Sequence, residues 1–263
     1  MSTLLSFCKY QGTGNDFIIL DGRQPLPALT TEQIRKLCDR RFGIGADGLM
    51  ILQHHEGYDF EMKYYNADGR EGSMCGNGGR SIVMFAHNLG IHKDTYHFLA
   101  VDGPHLAEID AQKWVHLKMN DVGQVEEKAG DYVLNTGSPH LVSFVNDLDQ
   151  YAVTDHGRSI RNSPTFVKEG INVNFVETIN DHTIFVRTYE RGVEAETWSC
   201  GTGVTASALM AAHNEKGFNQ VNVKTLGGEL TVEYDRLSEQ EYRNIWLCGP
   251  ASFVFRGDIQ IDL

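Results

Sequence analysis

Short apolar or alternating runs, each closed by a glycine-rich or polar turn, dominate the hydropathy pattern of this chain. Such runs predict strands over Leu4–Tyr10, Phe17–Leu20, Leu49–Leu52, Phe60–Tyr65, Phe98–Val101, Leu106–Ile109 and Val115–Met119. Further strands are expected at Tyr132–Asn135, Val173–Val176, Thr183–Thr188, Val221–Lys224, Leu230–Tyr234, Ile245–Cys248 and Phe253–Phe255. Thr30–Phe42 has helical spacing, with Thr30 or Thr31 as N-cap and Ile34, Leu37 and Cys38 on one face. Ser81–Ala86 and Thr205–Ala211 are apolar on most sides, as a helix wrapped by a sheet must be.

The order of these elements runs through twice. The turn Thr13-Gly14-Asn15-Asp16-Phe17 is echoed by Thr136-Gly137-Ser138-Pro139-His140, and Tyr65-Asn66 by Tyr189-Glu190. Met74-Cys75-Gly76-Asn77-Gly78-Gly79-Arg80 returns 125 residues later as Ser199-Cys200-Gly201-Thr202-Gly203-Val204. From Asn15 to Cys75 is 60 residues, and from Ser138 to Cys200 is 62. This is the signature of a tandem duplication. The expected fold class is α+β: two pseudo-symmetric domains, each a curved mixed β-sheet wrapped around a central helix. The halves are expected at 1–120, carrying Cys75, and 121–250, carrying Cys200. The C-terminal strand 251–263 is expected to return to the first half, and the linker to lie near Asn120–Gly130, where glycine and charge cluster.

Composition narrows the function. At 263 residues with 41% hydrophobic and 22% charged content, the chain reads as a globular protein with one large or two ordinary domains. A net charge of −12 argues against a nucleic-acid partner, whose binders carry a basic footprint. No run is long and apolar enough for a membrane helix, and the N-terminus lacks the features of a signal peptide, so a cytoplasmic location is expected. The five cysteines, Cys8, Cys38, Cys75, Cys200 and Cys248, are odd in number and include no Cys-x-x-Cys. Reduced thiols are expected rather than disulfides or zinc ligands. His54, His55, His87, His92 and His97 read as surface or packing histidines, so no metal site is expected. Gly43–Gly48 formally matches a dinucleotide-binding fingerprint but follows a helix rather than a strand, and is rejected.

Chemistry concentrates on the repeated cysteines. One such cysteine alone would ordinarily be a small buried apolar residue. Two, each just ahead of a helix N-terminus and followed by glycine, are harder to explain by packing. Unpaired N–H groups and the helix dipole favour an anion there, and the same field favours a thiolate. Two such turns facing each other across a cleft would suit removal of a proton from one face of a carbon and its return to the other. The helix N-termini would hold the substrate carboxylate and the charge that develops beside it.

Six blocks together carry a resemblance. They are Tyr10–Phe17, Asn66–Gly69, Met74–Gly78, Asn172–Phe175, Tyr189–Gly192 and Ser199–Gly203, and in this order and spacing they resemble the diaminopimelate epimerase family. The resemblance implies a diaminopimelate epimerase-like fold and interconversion of LL- and meso-diaminopimelate without a cofactor, in lysine and cell-wall precursor synthesis. Cys75 and Cys200 match the family's catalytic thiols, one acting as base and the other as acid. Amides at Gly76-Asn77 and Gly201-Thr202 would hold the reacting carboxylate. Asn15, Asn66, Asn172 and Arg191 match positions lining the site, with Arg191 on the distal carboxylate. His140 and Glu190 match residues that tune the thiols, and a homodimer is implied by the resemblance alone. Three features depart from the family pattern: Ser138 stands before Pro139-His140 in place of Asn, Gly48 replaces a side chain at the mouth, and Val193–Trp198 is one residue longer and lacks a glycine. The rival reading is a cofactor-independent two-thiol racemase of the proline-racemase kind, against which Arg191 and Asn172 argue. A non-catalytic relative would be expected to have lost a cysteine.

Overall fold

Residues 2–211 and 215–262 are described by the structure, a computed structural model; Leu263, the last residue of the expected C-terminal strand, lies outside them. The chain divides into two compact units, Met1–Leu117 with Pro250–Leu263, and Lys118–Gly249.

The first unit contains β1 (Ser2–Gly12), β2 (Asn15–Asp21), α1 (Thr31–Cys38), β3 (Gly48–Gln53), β4 (Phe60–Asn66), α2 (Gly76–Asn88), β5 (Tyr96–Ala100), β6 (Gly103–Ile109) and most of β7 (Val115–Lys118). The second has β8 (Val125–Lys128), β9 (Asp131–Asn135), β10 (Pro139–Phe144), a 3-10 turn at Leu148–Gln150, α3 (Val153–Arg161), β11 (Asn172–Asn180) and β12 (Thr183–Glu190). It continues through β13 (Ala195–Thr197), α4 (Gly201–Leu209), β14 (Gly217–Thr225), β15 (Gly228–Arg236) and β16 (Tyr242–Gly249). Strand β17 (Ser252–Asp262) belongs to the first unit, where it lies antiparallel along β1.

The strand pairings repeat. In the first unit the order is β17-β1-β2-β3-β4-β5-β6-β7, with β2–β3 and β4–β5 parallel and the rest antiparallel. In the second the order is β8-β9-β10-β11-β12-β14-β15-β16, with β10–β11 and β12–β14 parallel and the rest antiparallel. Each parallel pair needs a crossover, and helices lie in these connections: α1 and α3 in the first, α2 and α4 in the second. Both cysteine helices therefore occupy the same step of the same topology.

Burial explains the element types. Phe17, Ile18, Ile19 and Leu20 are all buried, so β2 is covered on both faces. Ile18 and Leu20 pack with Ile34, Leu37 and Cys38 of α1. By strand alternation Phe17 and Ile19 point to the opposite face. Helix α2 is buried from Gly76 through Ala86, and α4 is buried at every position except Thr202. In the second unit Leu141, Val173, Phe175, Phe185 and Tyr189 form a cluster with Val153 at the start of α3.

Three expected boundaries are corrected. Helix α1 stops at Cys38 instead of reaching Phe42, because Asp39 Oδ1 accepts the amides of Arg41 and Phe42, each at 2.7 Å, and turns the chain. Its start is as expected: Thr30 forms a capping box with Gln33. Helix α4 ends at Leu209, short of Ala211. The stretch near Asn120–Gly130 is structured: Val122 bridges Tyr242, and β8 pairs with β9.

Candidate active site

In the first unit Cys75 is the N-cap of α2, in extended conformation with φ −106° and ψ 150°. Its Sγ accepts the Gly78 amide at 3.2 Å, so the sulfur itself caps the helix. A Cβ on Gly78 would stand 3.0 Å from that sulfur, which is why a bare residue sits there. Asn77 is buried, and its side chain is committed to the local scaffold. Its Oδ1 accepts from Arg80 Nη2 at 2.9 Å and from Thr13 Oγ1 at 3.4 Å, while Nδ2 donates to Asn15 Oδ1 at 3.3 Å.

Asn15 in turn donates to Asp47 Oδ2 at 2.7 Å. Asp47 shares Arg40 with Asp16, which also pairs with Lys9 at 2.8 Å. Burial would raise the Asp16 carboxyl, but the hydrogen bonds and charges of Arg40 and Lys9 outweigh it and hold Asp16 down at about 2. Asn66 is exposed at the end of β4, where its amide donates to the Arg70 carbonyl at 2.9 Å in the turn leading towards Cys75. The structure thus joins Asn15, Asn77, Gly76 and Cys75 into one scaffold and leaves Asn66 at its rim. Gly48 has a simple cause: a Cβ there would lie 2.5 Å from the ring of Tyr64, which fills the space.

In the second unit Cys200 is the N-cap of α4 and is 8% exposed. Its Sγ lies 3.5 Å from Thr202 Oγ1. Thr202 Oγ1 is 2.9 Å from His140 Nε2, and His140 Nδ1 is 3.1 Å from Asn174 Nδ2. His140 is fully buried; burial first, and the Arg191 charge second, pull its pKa down to about 3. The imidazole is therefore neutral at neutral pH. Thr136 Oγ1 donates to the Thr202 carbonyl at 2.8 Å, and Thr205 to that of Gly201 at 3.0 Å, so the repeated Thr-Gly turn is tied to the start of the helix.

A second cluster holds Arg191. Asn172 Oδ1 accepts the Arg191 amide at 2.9 Å, and Asn172 Nδ2 donates to Ser138 Oγ at 3.1 Å. The guanidinium donates to Ser138 Oγ at 3.2 Å and to the Glu169 carbonyl at 3.1 Å. Among the described residues no carboxylate neutralises it. Ser138 thus orients both Asn172 and Arg191. Glu190 accepts from Thr197 Oγ1 at 2.9 Å. The longer 193–198 segment is a hairpin, with Ala195–Thr197 paired to β12 and Arg187 gripping Glu196 at 2.6 and 2.8 Å.

The sequence reading passed over Asn174, Arg80 and Thr13. Asn174 had a signal, since it follows Asn172 by two along a strand and shares its face. Arg80 is fully buried and bonds Gly76 O, Thr13 Oγ1 and Asn77 Oδ1, fastening the turn before β2 to the first turn of α2. No periodicity distinguishes it from a surface arginine. Of the five histidines read as peripheral, His54, His92 and His97 are exposed and His55 and His87 half-buried. No helix among the described residues is long and apolar enough to cross a membrane.

Comparison with known proteins bears on this geometry. A protein named diaminopimelate epimerase from Flavobacterium psychrophilum is 47% identical over 253 residues, covering 95% of this chain and 98% of the relative. Two solved structures share the fold. A phenazine biosynthesis protein of the PhzF family from Bacillus anthracis superposes with TM-score 0.76 at 16% identity, covering 98% of this chain and 99% of the other. A probable proline racemase from Agrobacterium radiobacter superposes with TM-score 0.65 at 14% identity, covering 99% and 94%. The sequence model of the family described as Diaminopimelate epimerase matches residues 7–125 and 132–254, which take in both cysteine helices. By that match, and by an identity this high over nearly the full length of both chains, this chain belongs to the diaminopimelate epimerase family.

Proposed function

We propose that this chain epimerises LL-diaminopimelate to meso-diaminopimelate, with Cys75 and Cys200 as the two proton carriers and no cofactor. The observation that carries the reading is that each unit presents one cysteine as the N-cap of a buried helix beginning with glycine. One thiolate takes the α-proton and the other thiol supplies a proton from the opposite face, with the roles exchanged in the reverse direction. The amides of Gly76-Asn77 and Gly201-Thr202 receive the carboxylate at the reacting carbon and the charge that builds on it. Asn15, Asn66 and Asn172 line the site, and Glu190 and His140 tune the thiols.

Arg191 takes the distal carboxylate. It is the feature that favours a substrate with two amino-acid ends over a simple monocarboxylate, because among the described residues its guanidinium has neutral oxygens as partners. An incoming carboxylate would supply the missing charge and a bidentate match. The functional halves on this reading are 1–120 with 251–263, and 121–250. The active form is a homodimer in the cytoplasm, and the substrate is the small molecule itself, with neither nucleic acid nor membrane as partner.

The test is incubation of the enzyme with LL-diaminopimelate in deuterium oxide, following α-deuterium incorporation and the appearance of the meso form, with proline in a parallel reaction. Turnover of diaminopimelate with deuterium at the inverted centre is expected. Efficient racemisation of proline with none of diaminopimelate would replace this reading with the racemase one.

A further inference from the structure

The two cysteines do not sit in equivalent surroundings, although their helices occupy equivalent steps of the topology. In the repeat, His140 falls where Phe17 does and Asn174 where Met50 does, as the registers His140↔Asn172 and Phe17↔Gly48 show. Around Cys75 these positions are apolar. Around Cys200 they form a chain of polar groups buried in the second unit.

The direction of each hydrogen bond in that chain follows from its fixed end. The Leu141 carbonyl can only accept, and Asn174 Nδ2 lies 3.0 Å from it. Thr188 Oγ1, 2.9 Å from Asn174 Oδ1, then donates its hydroxyl hydrogen to that oxygen. The second Nδ2 hydrogen then points at His140 Nδ1, which must present a lone pair. A neutral ring with a bare Nδ1 carries its proton on Nε2 and donates to Thr202 Oγ1. That hydroxyl, having accepted from the ring, has its own hydrogen left for Cys200 Sγ.

We propose that Asn174 is a positioning residue that, through the tautomer it imposes on His140, turns the Thr202 hydroxyl hydrogen onto Cys200 Sγ and so favours the thiolate there. His140 on this account moves no proton itself. The same hydroxyl retains a lone pair for an S–H, so it serves the sulfur in both protonation states. The proposal rests on the reading of Cys200 as a proton carrier, but its test needs no epimerase activity.

The first measurement uses the unaltered protein labelled with 15N-histidine. The His140 ring is expected to show a bare Nδ1 and a protonated Nε2 at neutral pH, and a protonated Nδ1 would overturn the proposal. The second compares alkylation of reduced Cys200 by iodoacetamide, mapped by peptide mass spectrometry, with Cys75 as internal reference. Thr202→Val should slow Cys200 at least about tenfold relative to Cys75, the effect of removing one hydrogen bond to a charged atom. Thr202→Ser, which restores the hydroxyl, should alkylate like the wild type. Equal Cys200 rates in Thr202→Val and wild type would overturn the proposal. Because neither readout passes through turnover, a failed relay and a failed epimerase assignment give different results.

Discussion

A methyl group on Gly203 would stand 2.2 Å from Asn174 Oδ1. The first turn of α4 therefore approaches β11 so closely that only glycine fits, and the approach brings Thr202 within reach of His140. Gly203→Ala must push the helix start away from the strand. It should destabilise the fold by about 1–3 kcal/mol, the usual cost of overpacking. It should also lower activity, by moving the Cys200 cap. Gly123→Ala is the control: a Cβ there meets nothing within 4 Å, so the change should stay within about 0.5 kcal/mol. Thermal melts of both variants check this; equal melting temperatures for Gly203→Ala and wild type would contradict the close approach.

His140 sets a pH dependence of stability. Its pKa is depressed in the folded protein, to about 3, from the ordinary 6.5. Between these values the unfolded chain binds a proton that the folded one does not, so stability rises with pH. The contribution is fully present above about pH 6.5 and is lost as pH falls towards 3, with a slope of at most about 1.4 kcal/mol per pH unit. Denaturant melts from pH 7 down to 4.5 should show wild type losing stability faster than His140→Gln. Parallel curves would mean that the buried imidazole does not resist protonation.

Arg191 separates a dicarboxylate from a monocarboxylate substrate. Arg191→Ala should lower kcat/KM for diaminopimelate at least about tenfold, from loss of a charged hydrogen bond of about 1.5–3 kcal/mol. Any trace α-proton exchange on proline or lysine should barely change. Ser138→Ala removes an oxygen that Asn172 and Arg191 share, at 3.1 and 3.2 Å, and should raise KM in the same direction by a smaller factor. Steady-state kinetics on the three substrates check both; an unchanged diaminopimelate kcat/KM in Arg191→Ala would remove the distal clamp.

The duplication was legible because it is written in backbone-critical residues. Cys75-Gly76-x-Gly78 and Cys200-Gly201-x-Gly203 cannot vary freely when a sulfur or an asparagine lies against the glycine. The threonines of the two Thr-Gly turns also do one job: Thr13 and Thr136 each bond the residue two beyond the cysteine. Helix α3 was not legible. Ala152 gives it no side-chain cap, and only Val153 and Gly157 are buried, so its pattern lacks both a start signal and a broad apolar face. Strand β8 carries Glu126, Glu127 and Lys128 exposed, which reads as a charged linker. The relay at Cys200 draws on β10, β11 and α4, and no local pattern links His140 to Thr202, 62 residues on.

The central claim is one proton carrier in each unit. Measured turnover of LL-diaminopimelate by Cys75→Ala and by Cys200→Ala, each confirmed folded by circular dichroism, tests it most directly. Each substitution should cost roughly 10²–10⁴-fold in kcat, the range for loss of a positioned acid or base. Cys38→Ala serves as comparison, since burial pushes the Cys38 thiol up to about 12 and leaves it inert; its turnover should stay close to wild type. Near-normal turnover in either Cys75→Ala or Cys200→Ala would contradict the two-thiol account.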